Sequence, residues 1–277
     1  MMMRQKFQWL VAALALTVIA GGCEGKGGKT DYLKKAREAA AAQQFQLAKS
    51  YLDSIKVQDP KNFDGIREGR KLLREVEFAE QKRTRDWCDS VLKIRQAEFP
   101  NLQKDFTFQQ NKEYESTGWY VHIRQLQSRN HNRCYLQARV DEKGKFLLTS
   151  YYCGGKIGHT RVRLYAPDGS FAETLDVPAD GALNYSFSDG ELRYETVRFD
   201  EQHLNGLLEF LRLHPDDKIK VELLGPKRKY GYALDPTDRI AITGAEALGV
   251  LLSDITRLLD EIRLAQAKMN YLVSHDL

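Results

Sequence analysis

Residues 235–272 read DPTDRIAITGAEALGVLLSDITRLLDEIRLAQAKMNYL, and this stretch decides the fold. Asp235 can accept hydrogen bonds from first-turn amides, and Pro236 suits the first helical position. Leu248, Leu251, Ile255, Leu258, Ile262, Ala265, Met269 and Leu272 then recur in steps of three and four, a sustained heptad seam. Leu252 and Leu259 widen the stripe, which predicts burial against more than one helix. So long an apolar seam needs a partner, and residues 62–99 offer one of similar length. Ile66, Leu72, Leu73, Val76 and Ala79 mark its first half, and Trp87, Val91, Leu92 and Ile94 its second. Glu80 to Asp86 between them is polar, and Pro100 is expected to end the helix. The economical arrangement pairs the two helices antiparallel, with the intervening chain inserted at their far end. A homo-oligomeric coiled coil through the last helix is the rival arrangement, and the sequence leaves the oligomeric state open.

Working outward, residues 31–60 read as a helical hairpin. Tyr32, Ala36, Ala39, Phe45, Ala48, Leu52, Ile55 and Pro60 fall where one tetratricopeptide-like repeat has its small and large seam residues. A single repeat cannot bury its own face, so the hairpin is expected to lean on another part of the chain as a packed helical hairpin rather than form a peptide-binding array.

Between the long helices the pattern changes to strands. Arg133 to Val140 and Lys145 to Tyr152 flank the turn Asp141-Glu142-Lys143-Gly144. Pairing Val140 with Lys145 would set residue 134 opposite Tyr151, with Cys153 a diagonal neighbour that only a bulge would bring within disulfide reach; the pattern favours free thiols and leaves the bond open. Thr160 to Ala166 alternates, with Val162 and Leu164 on one face and Arg161 and Arg163 on the other. Further strands follow Pro167-Asp168-Gly169 and Asp189-Gly190, and two more cover Ile219 to Leu224 and Tyr230 to Leu234. One short helix interrupts, with Asp200 as its expected cap and Leu204, Leu207, Leu208 and Leu211 as its buried stripe. The fold class is therefore α+β: a helical region over 31–100, an antiparallel β-meander domain with one short helix over 101–235, and a C-terminal helix over 236–277 packing on the first region.

The first residues carry an address. Arg4 and Lys6 precede the mostly apolar run Phe7 to Ala20, too short for a comfortable membrane span, and Ala20-Gly21-Gly22 leads into Cys23. This resembles the lipobox of bacterial lipoproteins. Residues 1–22 are then a signal peptide cleaved between Gly22 and Cys23, Cys23 is the acylated residue that takes palmitate-like chains, and residues 23–30 form a tether. Arg4 and Lys6 supply two of the formal charges behind a net +4 on 277 residues, so the remainder carries no strong electrostatic footprint for nucleic acid. Of four cysteines, Cys23 is committed to lipid, and Cys88, Cys134 and Cys153 remain.

The chemistry-bearing residues do not assemble into a diagnostic motif. Cys153-Gly154-Gly155-Lys156-Ile157-Gly158-His159 lacks the Lys-Ser/Thr ending of a P-loop and precedes a strand rather than a helix. Cys153 and His159 could meet as a thiol–imidazole pair, yet nothing in the spacing requires it. His122, His131, His159, Cys134 and Cys153 show no zinc-type spacing, so neither metal nor other cofactor is expected. Trp119, Tyr120, Tyr151, Tyr152, Tyr230 and Tyr232 could instead form a platform for sugar or peptide, and core filling is the commoner use of strand aromatics. The basic loops Arg124 to Arg133 and Lys227-Arg228-Lys229 could attract an acidic partner, and solvated hairpin ends are the commoner explanation.

Asp31-Tyr32-Leu33, Tyr51 to Lys56, Leu148 to Gly155 with its Tyr-Cys-Gly-Gly ending, and Asp235-Pro236-Thr237-Asp238-Arg239 give the chain its resemblance to a group of uncharacterised cell-envelope lipoproteins from Bacteroides-type bacteria. The resemblance implies export and attachment to a Gram-negative envelope through lipid on Cys23. Glu24 after Cys23 leans towards the outer membrane by analogy with lipoprotein sorting. It implies no activity. The expected function is a non-enzymatic binding or scaffolding module with an envelope protein or glycan as partner, and the alternative is a hydrolase or transferase acting on envelope polymers. Trp119, Tyr120, Lys156 and His159 are the candidate binding surface, because they fall in or beside loops between strands.

Overall fold

The computed structural model of the chain describes residues 31–113 and 116–274. The expectations for residues 1–30, including cleavage after Gly22 and lipidation of Cys23, lie outside the described residues. Among the described residues no helix is long and apolar enough to cross a membrane. The chain divides into two compact units, the first ending at Val76 and the second beginning at Glu77. That division falls inside a long helix, next to its polar middle.

The first unit holds the hairpin of α1 (Tyr32–Ala41) and α2 (Phe45–Gln58) and the start of α3 (Phe63–Gln103). Asp31 caps α1 by accepting from the Lys34 amide at 3.0 Å, and Asn62 does the same for Gly65 at the head of α3 at 2.9 Å. Ala36, Ala39, Phe45, Ala48, Leu52 and Ile55 are buried, the set the repeat-like spacing predicts. Gly69 of α3 leaves room for Ile55 and Leu52, and Arg37 pairs with Glu68. The hairpin thus leans on the helix that follows it.

In the second unit, α3 from Glu77 onward packs antiparallel to α5 (Pro236–Ser274). Arg95 meets Asp254 at 3.4 Å, Arg85 meets Gln266 at 3.3 Å and Glu77 meets Lys268 at 3.1 Å, so numbers rise on one helix as they fall on the other. Cys88, Leu92 and Leu258 form the seam, flanked by Val91, Ile255 and Ile262. Two expectations change. Leu259 is exposed and Leu252 is buried, because the stripe widens only where α5 leaves α3 and joins the β core. Trp87 and Ile94, seven residues apart on one line of α3, face solvent. Pro100 also does not end α3. The helix continues to Gln103 because Phe99 and Leu102, either side of the proline, are packed on the main core, which holds the last turn despite one lost backbone bond.

Among the described residues ten strands form two antiparallel sheets. The larger follows a meander through β1 (Phe106–Gln109), β2 (Trp119–His122), β3 (Tyr135–Asp141) and β4 (Phe146–Gly154), then adds β8 (Leu192–Asp200) and β7 (Asn184–Asp189), in the order β1-β2-β3-β4-β8-β7. The smaller has the order β10-β9-β5-β6, from β5 (Arg161–Tyr165), β6 (Phe171–Glu173), β9 (Lys220–Leu224) and β10 (Lys229–Ala233). The expected α+β class and antiparallel meander are present, the meander as β1 to β4 of the larger sheet, and the smaller sheet takes the strands that follow it together with the last two. One core joins them: Leu136, Ala138, Val140 and Leu148 of the large sheet, Val162, Leu164, Val221 and Leu223 of the small one, and Ile242, Ala245 and Leu248 of α5.

The β3–β4 register differs by one residue from the expected one. Val140 pairs with Phe146, and Asp141 closes a three-residue loop by accepting from the amides of Lys143 and Lys145, both at 2.8 Å. Gly144 makes that loop possible with φ +90°, and it lies so close to α5 that an added Cβ would sit 2.4 Å from the Gly249 carbonyl. The short helix α4 (Leu207–Leu213) starts at Gly206, with φ 80°, and not at Asp200, whose carboxylate caps the turn before it through Gln202 and His203.

Candidate functional site

Strand pairing decides what each face of the large sheet can do. On β3, Leu136, Ala138 and Val140 enter the core, so Tyr135, Gln137 and Arg139 take the outer face. Register then carries the outer face across the sheet. Tyr135 lies opposite Tyr151, Tyr151 opposite Thr196, and Thr196 opposite Tyr185. One step along, Cys153 lies opposite Tyr194, and Tyr194 opposite Phe187. A cleft of about 440 Å³ opens over these two rows. Its walls include Tyr151, backed by the buried Tyr135 stacked on it at 5.0 Å and 17°, and Phe187 and Tyr194, stacked at 5.0 Å and 11°. Thr196 and Cys153 are the small residues between the walls.

Charged groups at this site are mostly engaged. Arg133 pairs with the buried Asp238 of α5 and lies over the Tyr135 ring, and Arg198 lies over Tyr185 at 5.4 Å. Asp238 also accepts from Gln125 at 3.0 Å, so the base of α5 is tied to β3 through a polar network. Burial, reinforced by Tyr151 beside it, raises the Tyr135 phenol above its ordinary range, and burial beside Tyr185 does the same for Tyr151. Both hydroxyls are neutral donors at physiological pH.

The opposite face of the same strands holds a different constellation. Ser150 Oγ lies 3.0 Å from His159 Nε2, and His159 Nδ1 lies 2.9 Å from Glu195 Oε2. Glu195 also accepts from the amides of Ile157, Gly158 and His159 at 3.0, 2.8 and 3.0 Å. Burial alone would push this carboxyl up. The His159 ring and the three amides outweigh it and hold the pKa at about 2. A serine, imidazole and carboxylate in a row is the pattern of an activated hydroxyl nucleophile. Here the row is sealed: Ser150 is 0% exposed, His159 1% and Glu195 2%. The cluster therefore ties the loop after β4 to β8 as a buried, fully bonded network.

The four residues singled out from sequence do not come together. Trp119 is on the outer face of β2 under the Arg139 guanidinium, 4.1 Å away, at the end of the sheet where β2 pairs with Asp141. Tyr120 faces the other way and packs against Phe99 and Phe108. Lys156 is exposed beyond the far end of β4, a strand about 27 Å long. His159, expected at the surface, is buried and bonded to Glu195 and Ser150, so it does not pair with Cys153. Of the six aromatics expected as a platform, Trp119 and Tyr151 share the outer face, while Tyr152 and Tyr230 pack edge to face at 5.1 Å in a separate group that includes Tyr232. Tyr135, Tyr185, Phe187 and Tyr194 were missed; their alternation within strands was visible, but which face is outer depends on the α5 contact. Cys134 and Cys153 are free thiols, with Cys134 Sγ against the Cys153 backbone at 3.4 Å. The basic loops are partly engaged rather than wholly solvated: Arg133 pairs with Asp238, and Lys229 reaches Glu222 at 3.3 Å. Among the described residues no group of three or more His, Cys, Asp or Glu side chains could hold a metal ion.

Compared with known proteins, the chain matches no family model, no curated protein and no solved structure.

Proposed function

We propose that this protein is a lipid-anchored envelope lipoprotein whose second unit, from Glu77 onward, is a non-enzymatic binding module. The observation that carries the binding role is the aromatic cleft. It lies open on the outer face of a hydrogen-bonded sheet, whose rigidity presents stacked rings without the ordering cost of a loop. The anchoring part rests on the leader pattern ending at Cys23 and on the resemblance to Bacteroides-type envelope lipoproteins, and Glu24 after Cys23 favours the outer over the inner membrane.

The Ser150–His159–Glu195 row gives the alternative, a hydrolase acting on envelope polymers, its one specific support. That reading needs the sheet to open, since no substrate carbonyl can approach a hydroxyl with no exposed surface. Incubating the full chain with a fluorophosphonate probe and mapping adducts by mass spectrometry separates the two. The binding reading expects Ser150 unlabelled in the folded protein. Stoichiometric labelling at Ser150, lost in Ser150→Ala, would replace it with the hydrolase reading.

A further inference from the structure

The ligand class of the cleft follows from its shape and charge; this step rests on the outer face being the binding site. We infer that the cleft binds a neutral saccharide chain.

The first support is geometric. In one row of the outer face Thr196 lies between Tyr151 and Tyr185, and in the next the small Cys153 lies beside Tyr194, which is followed by Phe187. The result is a slot with ring faces at its sides, not a flat apolar patch. A pyranose offers C–H-rich faces to such walls and hydroxyls around its edge. Its edge would meet Gln127, Asn132 and Asp189, which line the same cleft and can donate to or accept from hydroxyls. Tyr194 already donates to Asn132, so that amide is oriented.

The second support is charge. Phosphate or nucleotide ligands call for a cluster of uncommitted donors, commonly bidentate arginines. At this cleft Arg133 is committed to Asp238, and Asp189 and the His159-bonded Glu195 add carboxylates to the lining. The phenols of Tyr135 and Tyr151 are held neutral by burial. The lining offers hydroxyl-matching groups and no cluster of uncommitted arginines. A volume of about 440 Å³ also suits a short oligosaccharide segment rather than a large cofactor. An extended peptide would more naturally add to the edge of β7, leaving the slot floor uncovered.

The test is calorimetric titration of the full-length chain, purified in mild detergent, with maltotriose, cellotriose, chitotriose and mannotriose. At least one should bind with a Kd tighter than about 1 mM. Tyr185→Ala should weaken it at least about tenfold, as should Phe187→Ala, whose side chain is 55% exposed and so spares the fold; Trp87→Ala on α3 should change nothing. Binding by none of the four, or binding unaffected by both cleft variants, overturns the proposal. A peptide selected from a random library that binds wild type but not Phe187→Ala, with no sugar bound, overturns the saccharide and keeps the binding face. Failure of sugars and peptides alike removes the binding-face reading as well.

Discussion

Replacing Glu195 measures what the sealed network does. The carboxylate accepts four hydrogen bonds at 2% exposure: Oε1 from the amides of Ile157 and Gly158, Oε2 from the amide and ring of His159. Glu195→Ala leaves all four donors without an acceptor. At about 1–3 kcal/mol for each buried unsatisfied donor, the loss is at least about 4 kcal/mol. Glu195→Gln is milder. Its oxygen can keep one pair of donors, and if its amide faces the His159 side, the ring can switch tautomer and accept. One backbone N–H then stays opposed, a cost of about 1–3 kcal/mol. Urea unfolding followed by tyrosine and tryptophan fluorescence reads both values. The same carboxylate predicts an acid limb. Its folded pKa of about 2 lies below the ordinary 4.5, so its stabilisation of about 3 kcal/mol is complete above about pH 4.5 and fades as pH falls through about 2. Glu195→Gln should flatten this part of the stability–pH curve. A loss under about 1 kcal/mol in Glu195→Ala, or an unchanged acid limb in Glu195→Gln, would refute the network as drawn.

The helix pairing and the anchor give two further expectations. Leu258→Asp places a carboxylate at a 5% exposed position between Cys88 and Leu92 and should cost about 3 kcal/mol or more, whereas Leu259→Asp, at a 49% exposed position, should stay within about 0.5 kcal/mol; equal effects in a protein that sediments as a monomer would sink the α3–α5 seam. Cys23→Ser should abolish incorporation of labelled palmitate and lipoprotein-type processing, and normal acylation of that variant would remove Cys23 as the anchor.

Helical elements were the most legible, because one face of each is written in a local period. Ala36, Ala39, Phe45, Ala48, Leu52 and Ile55 specify the hairpin seam within thirty residues of chain. Asp235 and Pro236 mark the start of α5 by chemistry that needs no tertiary contact. Pro100 misled, since the packing of Phe99 and Leu102 outweighs one lost backbone bond. Trp87 and Ile94 misled because periodicity does not say whether an apolar line faces a partner or water. The β region was legible as strands but not as two sheets, since pairing β4 with β8 joins Cys153 to Tyr194 across a long intervening segment. That pairing creates both the cleft and the sealed row. Ser150, His159 and Glu195 share no local spacing, and Asp141 set the hairpin register through a side-chain turn that counting residues overlooks.

The most direct test of the account is ¹⁹F NMR of the full-length chain carrying 3-fluorotyrosine, titrated in turn with the four trisaccharides. The account predicts saturable shifts confined to Tyr135, Tyr151, Tyr185 and Tyr194, with Tyr32 and Tyr51 of the first unit unmoved. Shifts absent from those four, or centred on Tyr32 and Tyr51, would contradict the outer sheet face as the binding site.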